Sequence, residues 1–168
     1  GNHGEAVKEH WWYLDGLPSH ALLHWRYHYP QAAFPYQRLI DENARRTRDE
    51  FEFELLDTGV FDDGRYWIVD VTYAKATPTE VLAHIAVHNH GPDEAAIDVL
   101  PTLWFRNTWR WSGRDDVPGL SLDGDAMAAD HPRLGGYLLE AGPAPDGARP
   151  QPLFCDNETN TARLFEAS

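Results

Sequence analysis

The chain has 168 residues, which is enough for one domain with a hydrophobic core and too few for two domains of typical size. Fourteen Lys and Arg against 27 Asp and Glu give a formal charge of −13, which disfavours nucleic acid and anionic membrane surfaces as partners. Neutral ligands such as oligosaccharides carry no such penalty. No apolar run approaches the ~20 residues of a membrane span. The single Cys155 has no partner for an internal disulfide, which fits a reducing compartment.

The first half of the chain predicts a helix, a strand and a second helix. Apolar residues at helical spacing predict a short helix within residues 4–14. Residues 22–29 alternate Leu and aromatic residues with His and Arg, which predicts a strand with one buried face. The charged stretch 35–50 has opposite charges four residues apart, as on a solvated surface helix.

The rest of the chain has the period-two pattern of strands, interrupted by Gly- and Pro-rich turns. The turn at residues 89–92 predicts a hairpin of two long antiparallel strands, and residues 112–133 predict a loop. The pattern predicts a mainly β fold, an antiparallel β-sandwich or closed sheet with one or two short helices, over residues 1–168 as a single domain. The further strands are predicted at residues 50–56, 66–76, 81–89, 96–106, 134–141 and 152–156.

One histidine motif has the spacing of a cupin metal site. His88, His90 and Glu94 follow the His-x-His-x3-Glu pattern, and two imidazoles two apart in a strand point the same way. However, Gly91 and Pro92 break the strand between them, so we expect no metal site there and no cofactor. A metal-dependent cupin-like enzyme is the least favoured function. The sequence offers no nucleophile or carboxylate pair with a catalytic signature.

An aromatic patch at residues 101–111 suits sugar binding. Trp rings stack on the apolar C–H face of a sugar, while Arg and Asn side chains bond its hydroxyls. The alternative is that one face of this predicted strand is core, because Trp104 and Arg106 lie on the opposite parity from Trp109. The candidate residues are Trp104, Arg106, Asn107 and Trp109.

Two polar clusters complete the candidate site, one at each end of the chain. The structural alternative for both is local capping of turns and helix ends. We hypothesise that they share one face with the aromatic patch. Their members are Asn2, His3 and Glu5 at the start, and Asp156, Asn157, Glu158 and Asn160 near the end.

Six strings spread over nearly the whole chain carry a resemblance to a known family. They are GNHGEAVKEHWWYLDGLPSH (1–20), YPQAAFPY (29–36), EFELLDTGVFDDGRY (52–66), YAKATP (73–78), LPTLWFRNTWRW (100–111) and DNETNTARLF (156–165). The chain resembles the N-terminal domain of bacterial glucosidase-like proteins related to glycoside hydrolase family 63.

The resemblance implies a supersandwich-like domain excised from a larger protein whose catalytic (α/α)6 barrel is absent. The expected function is a non-catalytic domain that supports the sugar site of an α-glucosidase-like glycoside hydrolase, and the isolated chain is expected to be inactive. The alternative is a freestanding carbohydrate-binding module. Expected partners are the missing barrel and an oligosaccharide, with self-association of the fragment through its exposed face. The resemblance implies a bacterial, cytoplasmic protein.

Overall fold

The computed structural model describes residues 10–109, 113, 116–155, 157 and 162–163. The chain divides into two compact units, Gly1–Asp98 and Val99–Ser168. The single domain predicted over residues 1–168 stays a prediction.

The first unit contains a four-stranded antiparallel sheet in the order β1-β2-β3-β4. The two central strands are rich in β-branched and aromatic residues, which favour an extended, half-buried backbone. Trp25 pairs with Val71, and Val71 pairs with Ile85 in the next strand. The strands are β1 (His10–Gly16), β2 (Leu22–Pro30), β3 (Tyr66–Thr77) and β4 (Glu80–Asn89).

The register of this sheet separates an apolar face from a polar face. Successive side chains in a strand point to opposite sides, so directly paired residues share a face. The row containing Trp25 and Val71 is aromatic and aliphatic, and Trp67 and Val71 on this face are buried. The neighbouring row, with Arg26 and Asp70, belongs to the polar face.

A small core forms where the helix meets the segment that follows it. Helix α1 (Tyr36–Arg45) buries Leu39 completely, and the 3₁₀ helix Leu55–Thr58 buries Leu55 against it. Phe53 completes this core. The Asn43 side chain holds the two parts together, because its Nδ2 donates to Phe53 O (2.8 Å) and its Oδ1 accepts from Phe53 N (2.8 Å).

The second unit contains a three-stranded antiparallel sheet, β5 (Gly119–Asp123), β6 (Ala126–His131) and β7 (Gly135–Leu139). Its first hairpin turns at Gly124, whose φ of 61° lies in the left-handed region that glycine adopts at least cost. Ala129 is buried in β6.

The predicted fold class is confirmed, because the structure is mainly β with antiparallel sheets, one α-helix and one 3₁₀ helix in its described part. The strands predicted at residues 22–29, 66–76, 81–89 and 134–141 form close to their predicted bounds, and the helix predicted within residues 35–50 is α1.

Other elements differ from the prediction. In the described part of the predicted helix at residues 4–14, the chain is strand β1, because Trp11 and Tyr13 pair with β2. The helical spacing of Val7, Trp11 and Leu14 was therefore misleading. The predicted loop at residues 112–133 contains β5 and β6. Three predicted strands, at residues 50–56, 96–106 and the described part of 152–156, do not form.

Candidate functional site

The aromatic patch lies on a segment whose described residues belong to no strand. We call residues 100–109 the Trp104 segment. Leu103, Phe105 and Asn107 are half-buried, whereas Trp104 and Arg106 between them are exposed. The period-two pattern therefore reports an alternation of burial that the structure confirms, although the strand itself is absent. Trp104 leaves 66% of its surface exposed.

One asparagine side chain takes the place of a neighbouring strand. Phe105 N donates to Asn157 Oδ1 (2.8 Å), and Asn157 Nδ2 donates to Phe105 O (2.8 Å). A side-chain amide has one acceptor and two donors, so it can satisfy both backbone groups of one residue. Asn107 Nδ2 adds a third bond, to Asn157 O (3.1 Å). This arrangement, the Asn157 clamp, fixes the backbone beneath Trp104 and Arg106.

A ring contact also holds the inner side of the segment. The Phe105 ring lies 5.6 Å from the His131 ring, which anchors the segment to β6. His131 is itself fixed, because its Nδ1 accepts from the backbone N–H groups of Arg133 and Leu134 (3.1 Å each). Asn107 Oδ1 is buried and finds no hydrogen-bond donor among the described residues.

The structure brings together one pair of predicted stretches, the aromatic patch and the polar run, through Asn157. Trp109 is half-buried, on the same parity as Phe105 and opposite to Trp104. The shared face with the opening cluster stays a prediction. The candidates that lie outside the described residues are Asn2, His3, Glu5, Asp156, Glu158 and Asn160.

The polar face of the four-stranded sheet contains a cluster of rings that sequence reasoning missed. His10 and His28 are direct cross-strand partners with ring centroids 5.4 Å apart. Trp12 lies 4.8 Å from His28, and Tyr66 lies 4.8 Å from it on the other side. Partial burial lowers the pKa of both histidines, and the positive charge of His10 contributes to the lowering at His28.

A bidentate ion pair lies beside this cluster. Arg26 Nε and Nη2 donate to the two carboxylate oxygens of Asp70 at 2.7 Å each. These hydrogen bonds lower the pKa of Asp70 and raise that of Arg26. The planar fork of Arg matches a carboxylate, so the pair links β2 to β3 in one geometry. Both side chains are only partly buried, which limits what the pair contributes to stability.

The missed cluster had a sequence signal. His24, Arg26 and His28 occupy the polar positions of β2, but periodicity alone indicates only a solvated face. The pairing of His10 with His28 depends on the β1–β2 register, which the helical prediction for β1 concealed.

The histidine motif at β4 does not converge in the described part of the chain. His88 lies in β4, whereas His90 follows the strand and stacks on Tyr66 with ring centroids 4.4 Å apart. Among the described residues, no group of three or more His, Cys, Asp or Glu side chains is placed to hold a metal ion. The expected absence of a metal stays a prediction.

Comparison with known proteins finds similarity to a yeast protein. No family model matches the chain, and no solved structure matches it. The chain is similar to "Uncharacterized protein YMR196W" of Saccharomyces cerevisiae, with 33% identity over 196 aligned residues. The alignment covers 98% of this chain and 18% of the yeast protein. The chain therefore spans less than a fifth of its relative's length.

The resemblance to bacterial glucosidase-like proteins related to glycoside hydrolase family 63 is wrong. Similarity over 98% of the chain leads instead to a yeast protein that is itself uncharacterised, and no family model supports the resemblance. In the described part of the chain, no helix is long and apolar enough to cross a membrane.

Proposed function

We propose that this chain is a non-catalytic β domain that contacts neutral carbohydrate through the Trp104 segment. The observation that carries the proposal is an indole that is 66% exposed on a backbone fixed by the Asn157 clamp. An exposed aromatic ring on a rigid support can stack on a sugar without a large loss of conformational entropy. Arg106 is exposed two residues away on the same parity.

The charge of the chain favours a neutral ligand. With a formal charge of −13, the protein repels anionic polymers, whereas an uncharged saccharide approaches without electrostatic cost. In the described part of the chain, hydrogen bonds lower the pKa of the Asp70 and Glu50 carboxyl groups. A general acid in glycoside hydrolysis needs a raised pKa, so neither group suits that role.

Binding of neutral glycans to the purified chain tests the proposal. A panel of soluble polysaccharides is screened by affinity electrophoresis, and hits are measured by calorimetry. Trp104→Ala should weaken binding about fivefold, the loss of one stacking contact of roughly 1 kcal/mol. Tyr137→Ala is the matched control, because Tyr137 is 54% exposed on β7 in the same unit. Binding that tolerates Trp104→Ala, or no binding to any neutral glycan, would contradict the proposal.

A second candidate function is that of an accessory domain in a longer carbohydrate-active protein. Its support is the alignment with 18% of the yeast relative's length. In that case, the Trp104 segment contacts another part of the protein rather than free sugar. Trp104→Ala would then lower the thermal stability of the full-length protein and leave that of the isolated chain unchanged. This outcome, without glycan binding by the isolated chain, would favour the second candidate.

A further inference from the structure

Within the described residues, strand β4 forms one edge of the four-stranded sheet. In the sheet order β1-β2-β3-β4, its described neighbour is β3, on one side. An edge strand presents a row of backbone N–H and C=O groups that can pair with another strand. The side chains at its start are well exposed, with Val81 at 61% and Leu82 at 55%.

The hydrogen-bond pattern identifies which residues of β4 present these groups. His90 N donates to Tyr66 O (3.0 Å), which places the even-numbered residues of β4 in the hydrogen-bonded pairs with β3. On the other side of β3, Lys75 N donates to Ala21 O (2.8 Å), as this alternation requires. The outward-pointing backbone groups of β4 therefore belong to the odd-numbered residues Val81, Ala83, Ile85, Val87 and Asn89.

The sequence of β4 lacks the features that protect an edge. Natural edge strands are blocked by Lys, Pro, bulges or inward charges. Residues 81–89 contain no Pro, Gly, Lys, Arg, Asp or Glu, in a chain with 27 acidic residues. Regular pairing with β3 continues from Val81 to Asn89, and the irregularity in the ladder lies beyond this range, between Lys75 and Thr77. This is a long, uncharged strand edge.

We propose that β4 pairs with β4 of a second copy of this chain, antiparallel about a twofold axis at Ile85. In this register Ile85 faces Ile85 of the second copy, Ala83 faces Val87, and Val81 faces Asn89. The outward-pointing odd-numbered residues then form the hydrogen-bonded pairs, and no like charges oppose each other. The two four-stranded sheets become one sheet of eight strands. The inference is independent of the proposed carbohydrate contact.

A self-complementary partner fits this edge because one strand supplies both sides of the interface. All nine residues from Val81 to Asn89 pair when Ile85 lies on the axis, whereas a shift in either direction shortens the overlap. The apolar row Val81, Ala83, Ile85 and Val87 also continues into the same row of the second copy. An acidic or basic partner strand would find no complementary charge along these residues.

Charged substitutions at Ile85, first of one sign and then of opposite signs in a mixture, test the proposal. Sedimentation velocity across a concentration series should show a dimer of the wild-type chain. Ile85→Lys and Ile85→Glu place like charges opposite each other on the axis, so each alone should weaken dimerisation about tenfold or more. An equimolar mixture of the two variants should dimerise again, because Lys then faces Glu. Thr79→Lys is the control, with an added Lys outside residues 81–89, and it should remain dimeric.

The outcomes separate the possibilities. A wild-type chain that is monomeric at every concentration overturns the proposal, as does dimerisation that both Ile85 variants retain or that Thr79→Lys also abolishes. Hydrogen exchange of the wild-type chain gives a measurement that requires no variant. The amides of Ala83, Ile85 and Val87 should become more protected as protein concentration rises. Protection that is independent of concentration contradicts β4 pairing even if a dimer forms.

Discussion

Asn157→Ala should release the Trp104 segment from its support. The substitution removes two 2.8 Å hydrogen bonds from the backbone of Phe105 and leaves its N–H and C=O half-buried. The main-chain acceptor for Asn107 Nδ2 remains in place. A neutral hydrogen bond contributes a net of about 0.5–1.5 kcal/mol, so the loss of two corresponds to about 1–3 kcal/mol of local stability.

Hydrogen exchange of the Phe105 amide measures this loss at the segment itself. The two compact units need not unfold together. A single free energy of unfolding for the whole chain would therefore combine two separate transitions. A local cost of about 1–3 kcal/mol corresponds to a loss of protection of roughly 5- to 150-fold. The same variant should weaken glycan binding, since Trp104 would then be presented from a mobile backbone.

Asn107→Ala provides the control for this reasoning. That substitution removes one 3.1 Å bond together with Oδ1, a buried acceptor without a donor among the described residues. Removing an unsatisfied acceptor offsets part of the lost bond, so the net cost should stay below about 1 kcal/mol. If Asn107→Ala costs as much as Asn157→Ala, or if Phe105 protection is unchanged in Asn157→Ala, the clamp does not hold the segment.

Two further predictions concern the first unit. Stability should fall as pH drops from 7.5 to 5.5, because the lowered pKa values of His10 and His28 let the unfolded chain bind protons first, from about pH 6.5 downward. Urea unfolding of the double variant His10→Gln/His28→Gln should show a flatter pH profile, and an unchanged slope would contradict this assignment. Leu39→Ala should cost about 2–5 kcal/mol because Leu39 is fully buried. Ile40→Ala, at a side chain 41% exposed, should cost clearly less, and equal costs would contradict the proposed core.

The sequence predicted strands correctly where two neighbouring segments both have period-two alternation and pair with each other. Residues 66–77 and 80–89 have period-two alternation and form β3 and β4 close to their predicted bounds. The predicted hairpin through the turn at residues 89–92 is wrong, because β4 pairs with β3 and residues 96–106 form no strand. The Trp104 segment has the same alternation, and its burial alternates accordingly. The backbone of this segment, however, is hydrogen-bonded at Phe105 to the side chain of Asn157, which lies 52 positions later in the sequence. Periodicity reports which side of a segment is buried but not what satisfies its backbone.

The candidate site was predictable in its residue types and not in its contacts. The alternation of the sequence puts Trp104 and Arg106 on one side of the segment, whereas it does not supply the contact with Asn157. The His10–His28 cluster needed a cross-strand register, which local spacing cannot supply. The strand prediction at residues 50–56 failed for a similar reason. Asn43 binds the backbone of Phe53, so this segment packs on α1 instead of joining a ladder.

The distribution of acidic residues connects the two proposals. The three longest stretches without Asp or Glu are residues 16–40, 81–92 and 99–114. The first contains β2, whose backbone pairs with β1 on one side and β3 on the other, so it has no free ladder to offer. The second contains the β4 edge, and the third contains the Trp104 segment. A chain of formal charge −13 repels itself and anionic ligands over most of its surface. A second copy at β4 and a saccharide at the Trp104 segment would therefore meet no carboxylate within these last two stretches.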